Sequence, residues 1–155
     1  MMIDLLQIAA FNATYAQTID SDALEQWPTF FTADCRYRVT NIENEAAGLP
    51  AGLIWVDSRD MLYDRITAMR EANVYEQQRY RHLVGLPIVK SADRANAVAE
   101  TPFLVVRTMH TGETTVFATG TYRDRFVVED SKLLLAERVV ACDSSVTDTL
   151  LVIPF

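Results

Sequence analysis

The chain has 155 residues, of which 50% are hydrophobic and 23% charged, and its formal net charge is -7. This composition is typical of a soluble globular protein, and the length predicts a single domain over residues 1–155 that folds without a disulfide or structural metal. An acidic chain with no run of Lys or Arg argues against nucleic acid and anionic membranes as partners. No signal-peptide pattern opens the chain, no apolar run reaches the ~20 residues of a membrane helix, and we expect a cytoplasmic protein with reduced thiols.

Two helices are predicted ahead of the first strand. Apolar residues recur at helical spacing from Leu5 to Ile19, which indicates an amphipathic helix. Asp22 and Glu25 then have the spacing of a capping box for a short second helix, which Pro28 interrupts. The first strand is expected at 35–40.

The remainder predicts one more helix and a series of strands. A loop is expected over 41–52 and a short strand or loop end at 53–56, and a third helix is expected to follow the cap at Asp57-Ser58 and to end near Asn73. Four long strands are predicted, at about 79–90, 97–108, 114–128 and 132–142. Gly85-Leu86-Pro87 and Gly120 are candidate points of bulge or bend. Helices first and strands last predict an α+β fold, in which a strongly curved, mostly antiparallel sheet wraps around the helices.

Metal and phosphate sites are not indicated. The chain has two cysteines and two histidines, and none of them has the C-x-x-C or C-x-H spacing of a zinc or iron–sulfur site. It also lacks a P-loop and a G-x-G-x-x-G sequence, which would bind phosphate or a dinucleotide.

Acid–base chemistry is the strongest catalytic hypothesis that the residues offer. Asp34, Tyr37 and His82 would converge if the first strand and the strand that opens at Arg79 lined one cavity. A carboxylate, a phenol and an imidazole in an apolar pocket can remove a proton and stabilise an enolate. A structural interpretation stands beside it, with Asp34 capping a turn, Tyr37 an ordinary strand residue and His82 a hydrogen-bonded core histidine.

Arginines form a third group of candidates. Side chains alternate between the faces of a strand, so Arg79 and Arg81 share one face, and Arg123 and Arg125 share another. Paired arginines suit fork-like binding of carboxylates across an interface, and a solvated face is the equally acceptable alternative. Arg138 lies on the last strand and belongs to the same set.

The apolar sequence 150–155, Leu-Leu-Val-Ile-Pro-Phe, is unusual for the last residues of a chain. Such a segment has to be buried, either on its own domain or against a neighbouring subunit. We expect it to favour an oligomer slightly.

The order of several short motifs carries a family resemblance that spans nearly the whole chain. They are Trp27 with Phe31, Asp34 with Tyr37, Asp64-Arg65-Ile66, Tyr80-Arg81-His82, Phe103, Gly120 to Phe126, and Glu137-Arg138-Val139 before Cys142-Asp143. In this order and spacing the chain resembles the small (beta) subunit of bacterial aromatic-ring-hydroxylating dioxygenases. Within that family, its sequence is most similar to the small subunits of the branch that acts on terephthalate. The resemblance implies the cone-shaped α+β barrel of nuclear transport factor 2, with the N-terminal helices packed in the curved sheet.

The resemblance also implies a division of labour. This chain would be a non-catalytic structural subunit without cofactor, metal or catalytic residues of its own. A large (alpha) subunit would hold a Rieske 2Fe-2S cluster and a mononuclear iron, and the small subunit would form a trimer within an α3β3 oxygenase. The complex would dihydroxylate a carboxylated arene such as terephthalate with O2 and electrons from a reductase. Inter-subunit or structural roles are expected for Arg79, Arg81, His82 and Arg138.

Two other functions stay open on the sequence. Since the same fold hosts enzymes, a stand-alone isomerase or dehydratase using Asp34, Tyr37 and His82 is the main alternative. A small-molecule binding module of the same fold is the third.

Overall fold

The computed structural model describes residues 2–48, 54–72, 78–144 and 154–155. Its helical segments are α1 (Leu5–Asp20), a 3₁₀ helix (Leu24–Phe30), α2 (Ile42–Ala46) and α3 (Arg59–Ala72). Its strands are β1 (Phe31–Asn41), β2 (Ile54–Val56), β3 (Gln78–Val84), β4 (Ile88–Ala92), β5 (Asn96–Met109), β6 (Thr114–Glu129) and β7 (Lys132–Cys142). Within these described residues, no helix is both long and apolar enough to cross a membrane.

The strands form one mixed sheet in the order β2-β1-β7-β6-β5-β3, and β4 also pairs with β5. The pairing of β1 with β7 is parallel, and the other pairings are antiparallel. Register shifts interrupt the pairings β1–β7, β5–β6 and β6–β7, and such irregularities bend and twist a sheet. The predicted α+β class is confirmed, and the sheet remains open because β2 and β3 do not pair.

Helix α1 begins with a capping box that the sequence analysis did not predict. The side chain of Asp4 accepts a hydrogen bond from the backbone N–H of Gln7 at 2.8 Å, and the Gln7 side chain accepts one from the backbone N–H of Asp4 at 2.8 Å. The box predicted at Asp22 and Glu25 is wrong: the 3₁₀ helix has no side-chain cap. Both carboxylates instead bind Arg70 of α3, which joins the two helical segments.

Several predicted boundaries need correction. Strand β1 starts at Phe31 rather than at 35, and the predicted loop 41–52 contains the short helix α2. The predicted strand 79–90 is two strands, since the chain leaves the sheet at 85–87 and both β3 and β4 then pair with β5. The chain departs from the sheet at Gly85. The backbone there passes so close to Pro102 that a Cβ would lie 2.8 Å from the Pro102 side chain. Gly120 is not a bulge: it stays in register with Phe103 on one side and Cys142 on the other.

The inner face of the sheet and the helices enclose one aromatic core. Helix α1 contributes Ile8, Tyr15 and Ile19, and the 3₁₀ helix contributes Leu24 and Trp27. The strands add large side chains that are fully buried: Phe31, Tyr37, Tyr122, Phe126 and Leu135. Burial of this many rings is the main force that holds the helices against the sheet.

Candidate functional site

An ion pair lies in the middle of this core, on neighbouring strands. Asp124 of β6 and Arg138 of β7 are opposite each other in register, and both side chains are 0% exposed. Arg138 donates to the two carboxylate oxygens through Nε and Nη2, each at 2.8 Å, and Nη2 also donates to the Asn12 side-chain oxygen at 2.6 Å. This fork-like geometry is the strongest form of Arg–carboxylate contact.

Two tyrosine rings enclose the guanidinium of Arg138. Its central carbon lies 4.3 Å from the Tyr15 ring centroid and 4.0 Å from that of Tyr122, which is cation–π geometry. Burial opposes the charge, but the attraction of Asp124 outweighs it and raises the pKa of Arg138 above its ordinary value. Burial raises the pKa of Asp124, and Arg138 limits that rise.

His82 connects β3 to the end of α1. Its Nδ1 lies 2.7 Å from one carboxylate oxygen of Asp20, and its backbone N–H donates to the other at 2.8 Å. The His82 side chain is 1% exposed. Its Nε2 is buried and has no hydrogen-bond partner among the described residues.

A chain of hydrogen bonds leads from the 3₁₀ helix to Phe155. The indole N–H of Trp27 donates to the Tyr15 hydroxyl at 2.9 Å, and that hydroxyl donates to the main-chain oxygen of Phe155 at 2.6 Å. The Tyr37 hydroxyl donates to the same oxygen at 3.2 Å and accepts from the backbone N–H of Phe155 at 3.2 Å. Burial raises the pKa of Tyr37 well above its ordinary value, so the phenol remains a donor at neutral pH.

The catalytic trio proposed from the sequence is not assembled. Asp34 is exposed, whereas Tyr37 and His82 are buried. The carboxylate that contacts His82 is that of Asp20, and the Tyr37 hydroxyl is bound to Phe155. The predicted convergence of Asp34 with the other two residues is therefore wrong.

The sequence did not predict Asp20, which is partly buried, or Asp124, which is fully buried, as site residues. Asp124 alternates with Tyr122 and Phe126 on the inward face of β6, and an acidic residue in such a position requires a cation. That signal was present in the sequence. Asp20, by contrast, reads as an ordinary turn residue at the end of a helix, and only the packing of α1 on β3 reveals its role.

The paired arginines lie on the outside of the sheet. Arg79 and Arg81 of β3 and Arg123 and Arg125 of β6 are all exposed. Arg138, which the sequence analysis grouped with them, is on the opposite, inner face. The outer four are exposed to solvent, and the fifth is not.

A family model described as "Ring hydroxylating beta subunit" matches residues 15–149. The chain belongs to this family. It is 63% identical over 153 residues to subunit beta 1 of the terminal oxygenase component of terephthalate 1,2-dioxygenase from Comamonas sp., with 99% of each chain covered. It is 38% identical over 149 residues to the anthranilate 1,2-dioxygenase small subunit of Burkholderia cepacia, with 96% of this chain and 92% of the relative covered.

A solved structure from the same family has the same fold. It is a beta subunit assigned to an aromatic-ring-hydroxylating dioxygenase of Novosphingobium aromaticivorans, with a TM-score of 0.89 and 38% identity. The match covers 97% of this chain and 96% of the other. The family resemblance read from the motif order is confirmed.

Metal-binding groups are few in the described parts of this beta subunit. Those parts contain no cluster of three or more His, Cys, Asp and Glu side chains that could hold a metal ion. Cys35 and Cys142 are free and buried, and burial raises the pKa of each thiol to about 11. Neither thiol is a reactive nucleophile at neutral pH, because almost none of it is thiolate.

His82→Ala is expected to lower the free energy of unfolding by about 2 kcal/mol, because the partly buried Asp20 carboxylate loses its side-chain partner. Urea unfolding of the variant measures this. The chain offers a matched control in its other histidine, His110, which is exposed in the turn between β5 and β6. His110→Ala should leave the unfolding midpoint nearly unchanged, and equal effects of the two substitutions would contradict the assignment.

Proposed function

We propose that the chain is the non-catalytic small subunit of the terminal oxygenase of an aromatic-ring dioxygenase. Its partner is a large subunit that holds a Rieske 2Fe-2S cluster and a mononuclear iron, and the complex dihydroxylates terephthalate with O2 and electrons from a reductase. Residues 1–155 act as one domain in the cytoplasm. The observation that carries this proposal is the 63% identity, over 99% of both chains, to a terephthalate 1,2-dioxygenase beta subunit.

The interior of the protein supports a structural rather than a catalytic role. The hydroxyls of Tyr15 and Tyr37, which are the groups suited to polarising a substrate carbonyl, are bound to Phe155 of the same chain. The charge of Arg138 is matched by Asp124. These groups stabilise the cone and are not presented to an outside molecule.

The outer face of the sheet supports a role in assembly. On β3 the exposed residues Arg79 and Arg81 are followed by Leu83, which is 54% exposed. On the neighbouring β5, Val98 is 41% exposed and pairs with Arg125 of β6. Surfaces that combine arginine with apolar side chains are typical of protein–protein interfaces. We assign this face to the contacts of the trimer and of the α3β3 complex.

Arg79→Glu/Arg81→Glu is expected to weaken assembly at least about 10-fold while leaving the fold intact, since it reverses two charges on an exposed face. Sedimentation of the variant with and without the large subunit measures both effects. Arg94→Glu is the matched control. Arg94 is exposed in the turn between β4 and β5, and it does not lie on β3 or β6, the strands that carry the outward-facing arginines. If the double variant assembles as tightly as the control, Arg79 and Arg81 do not lie in the interface.

Turnover tests the proposed reaction. Terephthalate, O2 and a reductase with its electron donor are supplied to the large subunit expressed with and without this chain, and the dihydrodiol is measured. The amount of product per mole of iron should be measurable only when this chain is present to stabilise the complex. The chain alone should form no product. Turnover of terephthalate by the chain without the large subunit would contradict a non-catalytic role.

A further inference from the structure

Three exposed side chains form a row on the outer face of β3: Arg79, Arg81 and Leu83. We call these residues the basic row. Successive members are about 6.6 Å apart, because every second residue of a strand points to the same side. No carboxylate forms an ion pair with either arginine in the part of the chain that the structure describes. The two positive charges therefore repel each other without a counter-charge.

Helix α3 carries the opposite charge on its exposed side. Asp60 and Asp64 are one helical turn apart, and Met61 and Ala68 lie on the same side of the helix. We call these four residues the acidic face. Like charges at this spacing destabilise a helix, and among the described residues no cation forms an ion pair with either aspartate. Cations from outside the chain would relieve this repulsion.

The basic row and the acidic face lie at opposite ends of the sheet. Strand β3 is the last strand of the order β2-β1-β7-β6-β5-β3, whereas α3 packs against β2, β1 and the 3₁₀ helix at the other end. A chain with complementary surfaces at two different places forms head-to-tail contacts with its own copies. Such contacts close into a ring when the rotation between neighbours permits it.

The spacing of the basic row nearly matches that of the acidic face. A step of two residues along a strand is about 6.6 Å, and a step of four residues along a helix is about 6 Å. If the strand and the helix run in the same direction, Leu83 lies against Ala68, and both are exposed in the single chain. In the opposite direction, Leu83 would lie near the exposed carboxylate of Asp57. The spacing therefore favours the parallel arrangement.

We propose that the basic row of one copy of the chain binds the acidic face of a second copy, with Arg79 against Asp60 and Arg81 against Asp64. Three such head-to-tail contacts close the trimer. This inference rests on the assembly role proposed above. It names the neighbouring copy of the chain, rather than the large subunit, as the partner of these arginines.

Asp60→Arg/Asp64→Arg tests the acidic face. It should raise the dissociation constant of self-association at least about 10-fold, because it places four like charges against each other. Sedimentation of the full chain without the large subunit, over a range of concentrations, measures this. Glu43→Arg/Glu129→Arg is the matched control, since it changes the net charge equally at exposed positions on α2 and at the end of β6. The control should leave the dissociation constant nearly unchanged.

An exchange of charges tests the pairing itself. The fourfold variant Arg79→Glu/Arg81→Glu/Asp60→Arg/Asp64→Arg has the net charge of wild type and exposed substitutions only. Its dissociation constant should return to within about 3-fold of the wild-type value, although each double variant alone is weakened, because the two pairs of charges are in contact. Recovery of this kind is not expected if the two surfaces bind different partners.

Three results would overturn the proposal. They are a fourfold variant as weak as the double variants, a wild-type chain that is monomeric at every concentration, and an Asp60→Arg/Asp64→Arg variant that loses only the large subunit. Co-purification of the same variants with the large subunit tests the proposed function separately. A monomeric chain that still binds the large subunit would remove the head-to-tail contact and leave the small-subunit role in place.

Discussion

Arg138→Met is expected to lower the free energy of unfolding by about 3–5 kcal/mol, the typical cost of removing one partner from a buried ion pair. The methionine has a similar volume, so the loss comes from charge rather than from a cavity. Asp124 stays fully buried, and it loses the two 2.8 Å hydrogen bonds that balance its charge. Asn12 loses a bond to Nη2 as well. Chemical denaturation at neutral pH measures the loss.

The loss of stability in Arg138→Met should depend on pH in a defined direction. Without Arg138, burial raises the pKa of Asp124 further above the value of about 4 found in unfolded chains. A raised pKa in the folded state means that stability is fully present below about pH 4 and is lost as the pH rises toward the new pKa. The deficit relative to wild type should therefore be smaller at pH 5 than at pH 8.

Arg125→Met is the control, because Arg125 lies on β6 next to Asp124 but points outward and is exposed. It should change stability little at either pH. The double variant Asp124→Leu/Arg138→Met should recover much of the loss, since neither charge then remains buried. Equal losses for Arg125→Met and Arg138→Met, or a deficit that does not change with pH, would contradict the role given to the pair.

Trp27→Ala is expected to cost about 3–5 kcal/mol, as is usual for the truncation of a buried tryptophan. Trp27 is 0% exposed, and its ring meets Phe31 and Tyr37 edge-on with centroids 5.7 and 5.1 Å away. Its loss also removes the donor that fixes the direction of the Tyr15 hydroxyl. Thermal unfolding of the variant, followed by circular dichroism, measures the effect.

The other tryptophan of the chain provides the comparison. Trp55 is 48% exposed on the edge strand β2, where Arg38 lies over its ring at 5.4 Å. Trp55→Ala should cost much less than Trp27→Ala, because most of the removed surface is already in water. A loss at Trp55 as large as that at Trp27 would show that the 3₁₀ helix does not close the core as described.

Local patterns in the sequence were enough to place most elements. The apolar stripe from Leu5 to Ile19 and the break between the strands predicted at 97–108 and 114–128 each predict a structure that the chain adopts. The parallel pairing of β1 with β7 could not be predicted, because it joins residues about a hundred positions apart with no local signal. The division of β3 from β4 depends on close contact of Gly85 with Pro102, which is likewise a tertiary event.

The candidate site shows the same limit. Alternation along β1 places Asp34 and Tyr37, three residues apart, on opposite faces, and this became evident only because β1 starts at Phe31 rather than at the predicted residue 35. Arg138 was named as a structural candidate, but its partner became evident only once the register brought Asp124 opposite it. In the apolar segment 150–155, Pro154 and Phe155 are buried in their own chain, and 150–153 lie outside the described residues.

Co-purification tests whether this chain assembles with a large oxygenase subunit. The chain is expressed with a large subunit that carries the Rieske pattern and an affinity tag, and the eluate is analysed for iron, colour, chain ratio and native mass. We expect a coloured iron-containing complex in which this chain and the large subunit are present in a one-to-one ratio, with the mass of an α3β3 assembly. A tagged large subunit that elutes without this chain, while the chain stays folded and colourless in the unbound fraction, would contradict it.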